Sequence, residues 1–255
     1  KLQSGPGAGR RWPSLVGVTA LLVGWSALAA IYPSILVPSP LEVLQSLSQL
    51  ALEGRLWREL GVTLCRLTVA FGLGVVLGVS LGLLAGRAEA LARALKPVMS
   101  VAAGIPPISW VALALIWFGT GSLAPIFVAL LVTTPVLFIA ALEGMRALDR
   151  DLLAMARVFD LRGMDLLREF YLPALAPHLL SGLTVGATLT VRVGVMGEFL
   201  ASSSGIGSAM ALARTQLDTA QVVAWVLVAL GLLFGTEGLV LRPLGRRATT
   251  WRGEG

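Results

Sequence analysis

The composition separates this chain of 255 residues from ordinary soluble domains. It is 56% hydrophobic and only 13% charged, whereas soluble domains carry roughly 25% charged residues. The single cysteine, Cys65, excludes a disulfide within the chain and argues against a metal cluster. The net charge of +6 could suggest a nucleic-acid partner, but the basic residues do not cluster with aromatic ones. The composition therefore indicates a protein that crosses a membrane several times.

Six apolar segments are long enough to cross a bilayer, which takes roughly 20 residues. These segments are 14–31, 62–85, 97–118, 124–142, 174–200 and 222–240. The predicted fold class is an all-α membrane protein in which residues 1–255 form one transmembrane domain. The first segment follows Arg10 and Arg11 and also has the pattern of a signal peptide. The six-helix topology needs it as a span.

Residues 41–52, between the first two spans, have the pattern of an amphipathic helix. Leu41, Leu44 and Leu47 fall on one face, and polar residues lie elsewhere around the helix. Ser39 precedes the pattern as a candidate N-terminal cap. The segment is therefore predicted to lie on the membrane surface.

Lys and Arg residues set the predicted orientation in the membrane. If the N-terminus is cytoplasmic, fifteen of the twenty basic residues fall in cytoplasmic segments, which is the distribution that the positive-inside rule describes. Six spans then leave both termini cytoplasmic, and the net charge needs no nucleic-acid partner. The same topology makes residues 151–173 a cytoplasmic loop between the fourth and fifth spans.

The loop 151–173 holds two short amphipathic patterns. A break from Asp160 to Gly163 separates them, and Pro173 ends the second one. Two such helices make a compact knob whose apolar face fits a groove on a partner protein. The residues alone leave open an alternative, a loop that packs on lipid headgroups.

Two charged residues, Arg192 and Glu198, lie in the fifth predicted span. A charge near the bilayer centre costs on the order of 2.5–3.5 kcal/mol on insertion scales, so both should face a polar interior or a partner. Arg192 could line a pathway and attract an anion, or it could contact a neighbouring helix or a second subunit. For Glu198, a gating or helix-anchoring role is favoured over contact with a substrate.

The remaining polar and proline positions have simpler interpretations. Pro106 and Pro107 interrupt the third span and free backbone carbonyls, so they could line a cavity or only shape the packing. Arg66 is expected to reach lipid headgroups from the outer end of the second span, with a salt bridge as the alternative. His178, the single histidine, is expected to be structural.

The loop 151–173 resembles the cytoplasmic coupling loop, or EAA motif, of permease subunits of ABC importers. When the two are aligned on Leu172-Pro173, Ala156 matches the third position of the motif. The acidic, second and glycine positions of the motif fall on other residues, which are Ala154, Met155 and Asp160. Gly163 is then left to make the turn.

Three other stretches are similar to permeases of the nitrate, sulfonate, taurine and bicarbonate importer group. They are "LVPSPLEVLQSLSQL" with the span that follows, "KPVMSVAAGIPPISWVALALIWFGTG", and "GEFLASSSGIGSAM". The similarity runs in collinear order from about Leu36 to Leu241. It implies the fold of a type I ABC importer permease.

The resemblance also implies the role of the chain and its partners. It implies a non-catalytic, multi-pass subunit of the cell inner membrane that has no cofactor of its own, while a partner ATPase in two copies binds ATP and Mg²⁺. A second permease copy would complete a homodimer, and an external binding protein would deliver a small anion such as a sulfonate, taurine, nitrate or bicarbonate. The two lysines, Lys1 and Lys96, do not follow the glycines of a phosphate loop.

Two groups of candidate site residues follow from this resemblance. The candidates for coupling to the ATPase are Asp151, Met155, Ala156, Arg157, Phe159, Asp160, Leu161, Gly163 and Pro173. The candidates for the translocation pathway or a gate are Pro106, Pro107, Trp110, Arg192 and Glu198. Within the first group, the apolar Met155, Phe159 and Leu161 are expected to supply most of the docking energy.

Three alternatives remain beside this interpretation. The same importer class could carry a vitamin precursor such as a pyrimidine. A self-contained secondary carrier is disfavoured by the short chain and by the lack of a visible internal repeat. A membrane-bound enzyme is disfavoured because the spans contain no pair of carboxylates, no metal-binding cluster and no nucleophile beside a base.

Overall fold

The computed structural model describes residues 12–148 and 171–241, and within these ranges the regular structure is entirely helical. The chain divides into two compact units, Lys1–Trp57 with Met210–Leu227 and Arg58–Ala209 with Val228–Gly255. The described residues form nine α-helices and a terminal π-helical segment. They are α1 (Trp12–Ile31), α2 (Pro40–Leu52), α3 (Arg55–Arg87), α4 (Glu89–Gly104), α5 (Pro107–Phe118), α6 (Leu123–Arg146), α7 (Leu172–Ala201), α8 (Ile206–Thr215), α9 (Thr219–Gly235) and the π-helical segment Thr236–Leu241.

Four of these helices are long and apolar enough to cross a membrane by themselves. They are Arg55–Arg87, Leu123–Arg146, Pro173–Ala201 and Thr219–Gly238. The pair α4 and α5 makes a fifth candidate span if the two are counted together. The apolar part of α1, Val16–Ile31, is shorter than a typical span. The described residues thus support four or five of the six predicted spans, and the first of the six, 14–31, stays a prediction.

The first unit is held together around the start of α2. Ser39 caps this helix, because its side chain accepts a hydrogen bond from the Glu42 amide while the Glu42 carboxylate accepts one from the Ser39 amide. Trp25 Nε1 donates to the Pro38 carbonyl at 2.9 Å and so ties α1 to the same turn. Leu41 on the predicted apolar face of α2 remains exposed.

The third predicted span, 97–118, is broken where the two prolines were expected to interrupt it, and it counts as a candidate span only if α4 and α5 are taken together. The chain bends by 93° between α4 and α5, at the site of the two prolines. Pro106 has no N–H to donate to the Ala102 carbonyl, which would be its partner in a continuous helix. Trp110 Nε1 lies 3.4 Å from that carbonyl oxygen and donates to it instead. The break therefore satisfies one of the carbonyls that it frees.

A row of glycines lets α3 lie directly against α6. Gly74, Gly78, Gly82 and Gly86 recur at every fourth position and so share one face of α3. A Cβ on Gly82 would lie 2.5 Å from the Phe138 carbonyl oxygen of α6. Small residues at such positions allow close backbone contact between membrane helices.

We expect Gly82→Ala to destabilise the protein by about 1–3 kcal/mol, because the added methyl group must push α3 away from α6. Gly72→Ala is the matched control, since a Cβ on Gly72 meets nothing within 4 Å. Equilibrium unfolding in mild detergent measures both variants. Equal stability of the two variants would contradict the close contact between these helices.

Candidate functional site

Arg66 is buried in the first half of α3, with 6% of its surface exposed. All five N–H donors of its guanidinium have acceptors. Nη1 donates to Glu198 Oε1 at 2.8 Å and to the Ser204 carbonyl at 2.7 Å. Nη2 donates to the Ser204 hydroxyl at 2.7 Å and to Ser122 Oγ at 2.9 Å, and Nε donates to Ser122 Oγ at 3.0 Å. The expectation that Arg66 reaches lipid headgroups is therefore wrong.

The partner of Arg66 is Glu198, in the last turn of α7 and only 1% exposed. Its Oε1 accepts from Arg66, and its Oε2 accepts from Thr63 Oγ1 at 2.8 Å and from the Gly207 amide at 3.2 Å. A buried ion pair is stable only when its remaining hydrogen-bonding groups are also satisfied. This pair meets that condition.

The same network caps the N-terminus of α8. Three successive amides, those of Gly205, Ile206 and Gly207, donate to Glu59 Oε2 at 2.6 Å, Thr63 Oγ1 at 2.9 Å and Glu198 Oε2 at 3.2 Å. The first amides of a helix lack partners within it, and carboxylates there also interact favourably with the helix dipole. Side chains of α3 and α7 thus cap α8.

The Gly-Ile-Gly sequence at the start of α8, residues 205–207, is explained by the close contacts of this network. Gly205 has a φ of +96°, and a Cβ there would collide with the Glu198 carboxylate. A Cβ on Gly207 would collide with the backbone of α7 at Val195 and Phe199. Both glycines therefore allow the loop to approach α7 closely, as the backbone freedom of glycine permits.

We name the cluster formed by Glu59, Thr63, Arg66, Ser122, Glu198 and Ser204 the anchor network. Glu198 was a predicted site residue, but its contact with Arg66 and the contribution of Glu59 were not predicted. The spacing of Glu59, Thr63 and Arg66 places three polar side chains on one face of a mostly apolar helix, which is a signal for a polar face of α3 but does not identify its partner on α7.

The predicted pathway residues do not form one cluster. Pro106, Pro107 and Trp110 lie at the break between α4 and α5, and Glu198 belongs to the anchor network. Arg192 is exposed on α7 and has no hydrogen-bond or ion-pair partner within residues 12–148 and 171–241.

Of the predicted coupling residues, Pro173 is described, in the first turn of α7. The others lie outside the described residues and remain predictions. They are Asp151, Met155, Ala156, Arg157, Phe159, Asp160, Leu161 and Gly163.

A polar stripe runs along α7 from Thr184 through Thr188 to Arg192, one residue per turn. Glu237, in the π-helical segment, extends this stripe, because its Oε1 lies 3.2 Å from Thr188 Oγ1. Glu237 was not among the predicted site residues, although a carboxylate inside a predicted span is itself a signal of function.

Two other features give no site for a small anion. A cavity of about 190 Å³ between α3 and α7 is lined mainly by apolar side chains such as Leu67, Phe71 and Val191. His178 packs against Gly144 of α6. In the part of the chain that the structure describes, no group of three or more His, Cys, Asp or Glu side chains is arranged to hold a metal ion.

We expect Arg66→Leu to lower the free energy of unfolding by about 3–5 kcal/mol, because the buried Glu198 charge then loses its partner. Arg146→Leu is the matched control, since Arg146 pairs with Glu89 at 2.7 Å on the surface, and it should cost at most about 1 kcal/mol. Adding Glu198→Gln to Arg66→Leu should recover part of the loss. Equal losses for the two arginines in detergent unfolding would contradict this account.

Known proteins similar to this chain are permeases. The chain is 28% identical to the taurine transport system permease protein TauC of Escherichia coli (strain K12), over 96% of this chain and 94% of that protein. It is 30% identical to the riboflavin transport system permease protein RibX of Chloroflexus aurantiacus, over 94% and 91%. It is 31% identical to the putative aliphatic sulfonates transport permease protein SsuC of Escherichia coli (strain K12), over 86% and 83%.

Similarity to a solved structure and to a family agrees with these relatives. A chain of the MetNI methionine ABC transporter, in an inward-facing conformation, shares the fold with a TM-score of 0.56 at 20% identity, over 72% of this chain and 93% of that chain. The family described as "Binding-protein-dependent transport system inner membrane component" matches residues 74–242, more than half of the chain. The chain therefore belongs to this family of ABC importer permeases, as its motifs predicted.

Proposed function

We propose that this permease forms the translocation pathway for a small anion and that a separate ATPase drives the transport. Arg192 carries the proposal. It lies nine residues before the end of α7 at Ala201, which is about 13 Å along the helix axis, so it lies deep in a bilayer whose apolar core is about 30 Å thick. An exposed charge at this depth needs a polar surrounding, and a pathway for anions supplies one.

The relatives support the class of substrate. One relative is named for taurine and another for aliphatic sulfonates, and both kinds of molecule carry a sulfonate that a guanidinium binds well. A second candidate is a heterocyclic vitamin or vitamin precursor, because a relative of similar identity is named for riboflavin.

The proposed assembly contains two ATPase subunits, a second copy of this permease and an external binding protein, with both termini of the permease cytoplasmic. Binding-protein-dependent transport is part of the family's description. In this assembly the ATPase supplies ATP hydrolysis, and the binding protein delivers the substrate to the permease.

The helices that flank the coupling segment support its proposed role. The segment joins the end of α6 at Arg146 to the start of α7 at Leu172. These helices pack closely: Gly182 of α7 lies against Ala140 of α6, and Thr133 and Thr190 share a hydrogen bond of 2.9 Å in the interior. A push on the segment would therefore move both helices as one body.

In this proposal the anchor network holds the far end of α7. Arg66 and Glu198 tie the last turn of α7 to α3, so a movement that begins at the coupling segment acts on a helix fixed at its other end. Glu198 then serves as a helix anchor or as part of an outer gate, and Pro106, Pro107 and Trp110 shape the bend beside the pathway.

We expect the permease to retain a P-loop ATPase when it is purified in mild detergent from cells that express its neighbouring genes. Changing Met155 and Phe159 together to Asp should abolish retention, because charged groups replace apolar contacts in the docking surface. Leu123→Asp is the matched control, since Leu123 is exposed at the opposite end of α6. Mass spectrometry of the purified complex provides the measurement.

Transport without any retained ATPase would contradict this proposal and favour a self-contained carrier. Retention that survives the double change would contradict the docking role of the segment but not the ATP-driven import.

A further inference from the structure

The polar stripe of α7 brings together two charges of opposite sign that lack ionic partners. Arg192 and Glu237 each form no ion pair within the described ranges. Thr188 lies between them: its Oγ1 is 3.2 Å from Glu237 Oε1 and 3.0 Å from the Thr184 carbonyl oxygen, and its one proton can be donated to either. Arg192 lies one helical turn further along the same face of α7, about 6 Å away along the axis.

This arrangement differs from the anchor network on the same helix. Glu198 is buried, and its carboxylate is satisfied by three donors. Arg192 is exposed, and Glu237 is half-buried with one hydroxyl contact. Arg66, Glu198 and Arg192 bear the cost of a charge within a span, and Glu237 lies one residue before the end of its candidate span. Among the described residues, ion-pair contacts offset this cost for Arg66 and Glu198 and not for Arg192 or Glu237. The charged groups of Arg192 and Glu237 are therefore available to bind a ligand or another subunit.

The sign of Glu237 argues against a site for a simple anion. A carboxylate close to Arg192 repels an anion and opposes the attraction of the guanidinium. A ligand that carries a cationic group beside its anionic group turns this repulsion into attraction. Complementary charges of this kind discriminate between ligands.

We propose that Arg192, Thr188 and Glu237 form a substrate subsite that binds a small zwitterion, with the anionic group on Arg192 and the ammonium group on Glu237. The proposal rests on the proposed transport function and narrows its substrates to molecules, such as taurine, that carry an ammonium group beside the anionic group. The hydroxyl of Thr188 can donate to either the ligand anion or Glu237. A π-helical segment at Glu237 fits this role, because such segments often occur at functional sites.

The test uses the full chain in lipid nanodiscs and three probes of matched size. Taurine carries a sulfonate and an ammonium group, isethionate replaces the ammonium group by a hydroxyl, and ethanolamine replaces the sulfonate by a hydroxyl. Saturation-transfer NMR detects weak binding of each probe. We expect taurine to bind at least about tenfold more tightly than either of the others, as one charge-assisted hydrogen bond would provide.

Substitutions assign each charge to its role. Glu237→Gln should reduce the affinity for taurine to that for isethionate, without weakening the binding of isethionate. Arg192→Gln should weaken the binding of both probes about tenfold. Arg192→Lys keeps the charge and should keep the preference for taurine. Glu143→Gln removes an exposed carboxylate of α6 and should change nothing.

Several results would overturn the subsite. Absence of taurine binding to the wild-type chain, or equal binding of taurine and isethionate, would do so. A loss of dimer mass in Arg192→Gln and Glu237→Gln without any change in taurine binding would also overturn it, because it would assign the charges to contacts between two copies of the chain.

The retention of the ATPase is measured without ligand and so tests the ATP-driven import separately. If the ATPase is retained but taurine does not bind, the subsite alone is refuted. Taurine preference without a retained ATPase refutes only the ATP-driven import.

Discussion

The buried ion pair between Arg66 and Glu198 is the interaction on which the rest of the larger unit depends. Two charges taken out of water cost several kcal/mol each unless every donor and acceptor finds a partner. All five guanidinium donors and both carboxylate oxygens are satisfied here. That requirement brings α3, α7 and the start of α8 together, and it leaves room only for glycine at positions 205 and 207. The geometry of this end of the molecule thus follows from one electrostatic condition.

Helix α7 carries two charged residues, Arg192 and Glu198, and the desolvation of each charge in the membrane is compensated in a different way. At Glu198 the chain supplies all the partners, and the result is an anchor. At Arg192 the described residues supply none, and the result is a group available to a ligand or a second subunit. Six residues, about 1.7 turns of helix, separate the two positions. Close packing of α7 on α6 then links both to the segment at which we propose the ATPase docks. The proposed rigid-body movement of α6 and α7 uses all three features: a fixed end, an open polar face and a rigid connection.

The features of this protein that have local signals in the sequence were predictable. Apolar runs located the helices that can span a membrane, the Pro106-Pro107 pair located the break in the third, and the motifs indicated the family. The pairing of Arg66 with Glu198 has no such signal, because the residues lie 132 positions apart and periodicity reports only one helix at a time. The contact of Glu237 with Thr188 lacks such a signal for the same reason, since it joins the fifth predicted span to the sixth. The bend of 93° was likewise beyond reach, because proline predicts a break but not its angle.

Hydrogen exchange at the start of α8 tests most directly whether the ion pair organises this end of the protein. The amides of Gly205, Ile206 and Gly207 donate to the anchor network, so their protection reports on it. Exchange followed by mass spectrometry should show strong protection of these amides in the wild-type chain. We expect that protection to be lost in Arg66→Leu and kept in Arg146→Leu, with the middle of α6 unchanged in both. Unchanged protection of the three amides in Arg66→Leu would contradict the central role of the ion pair.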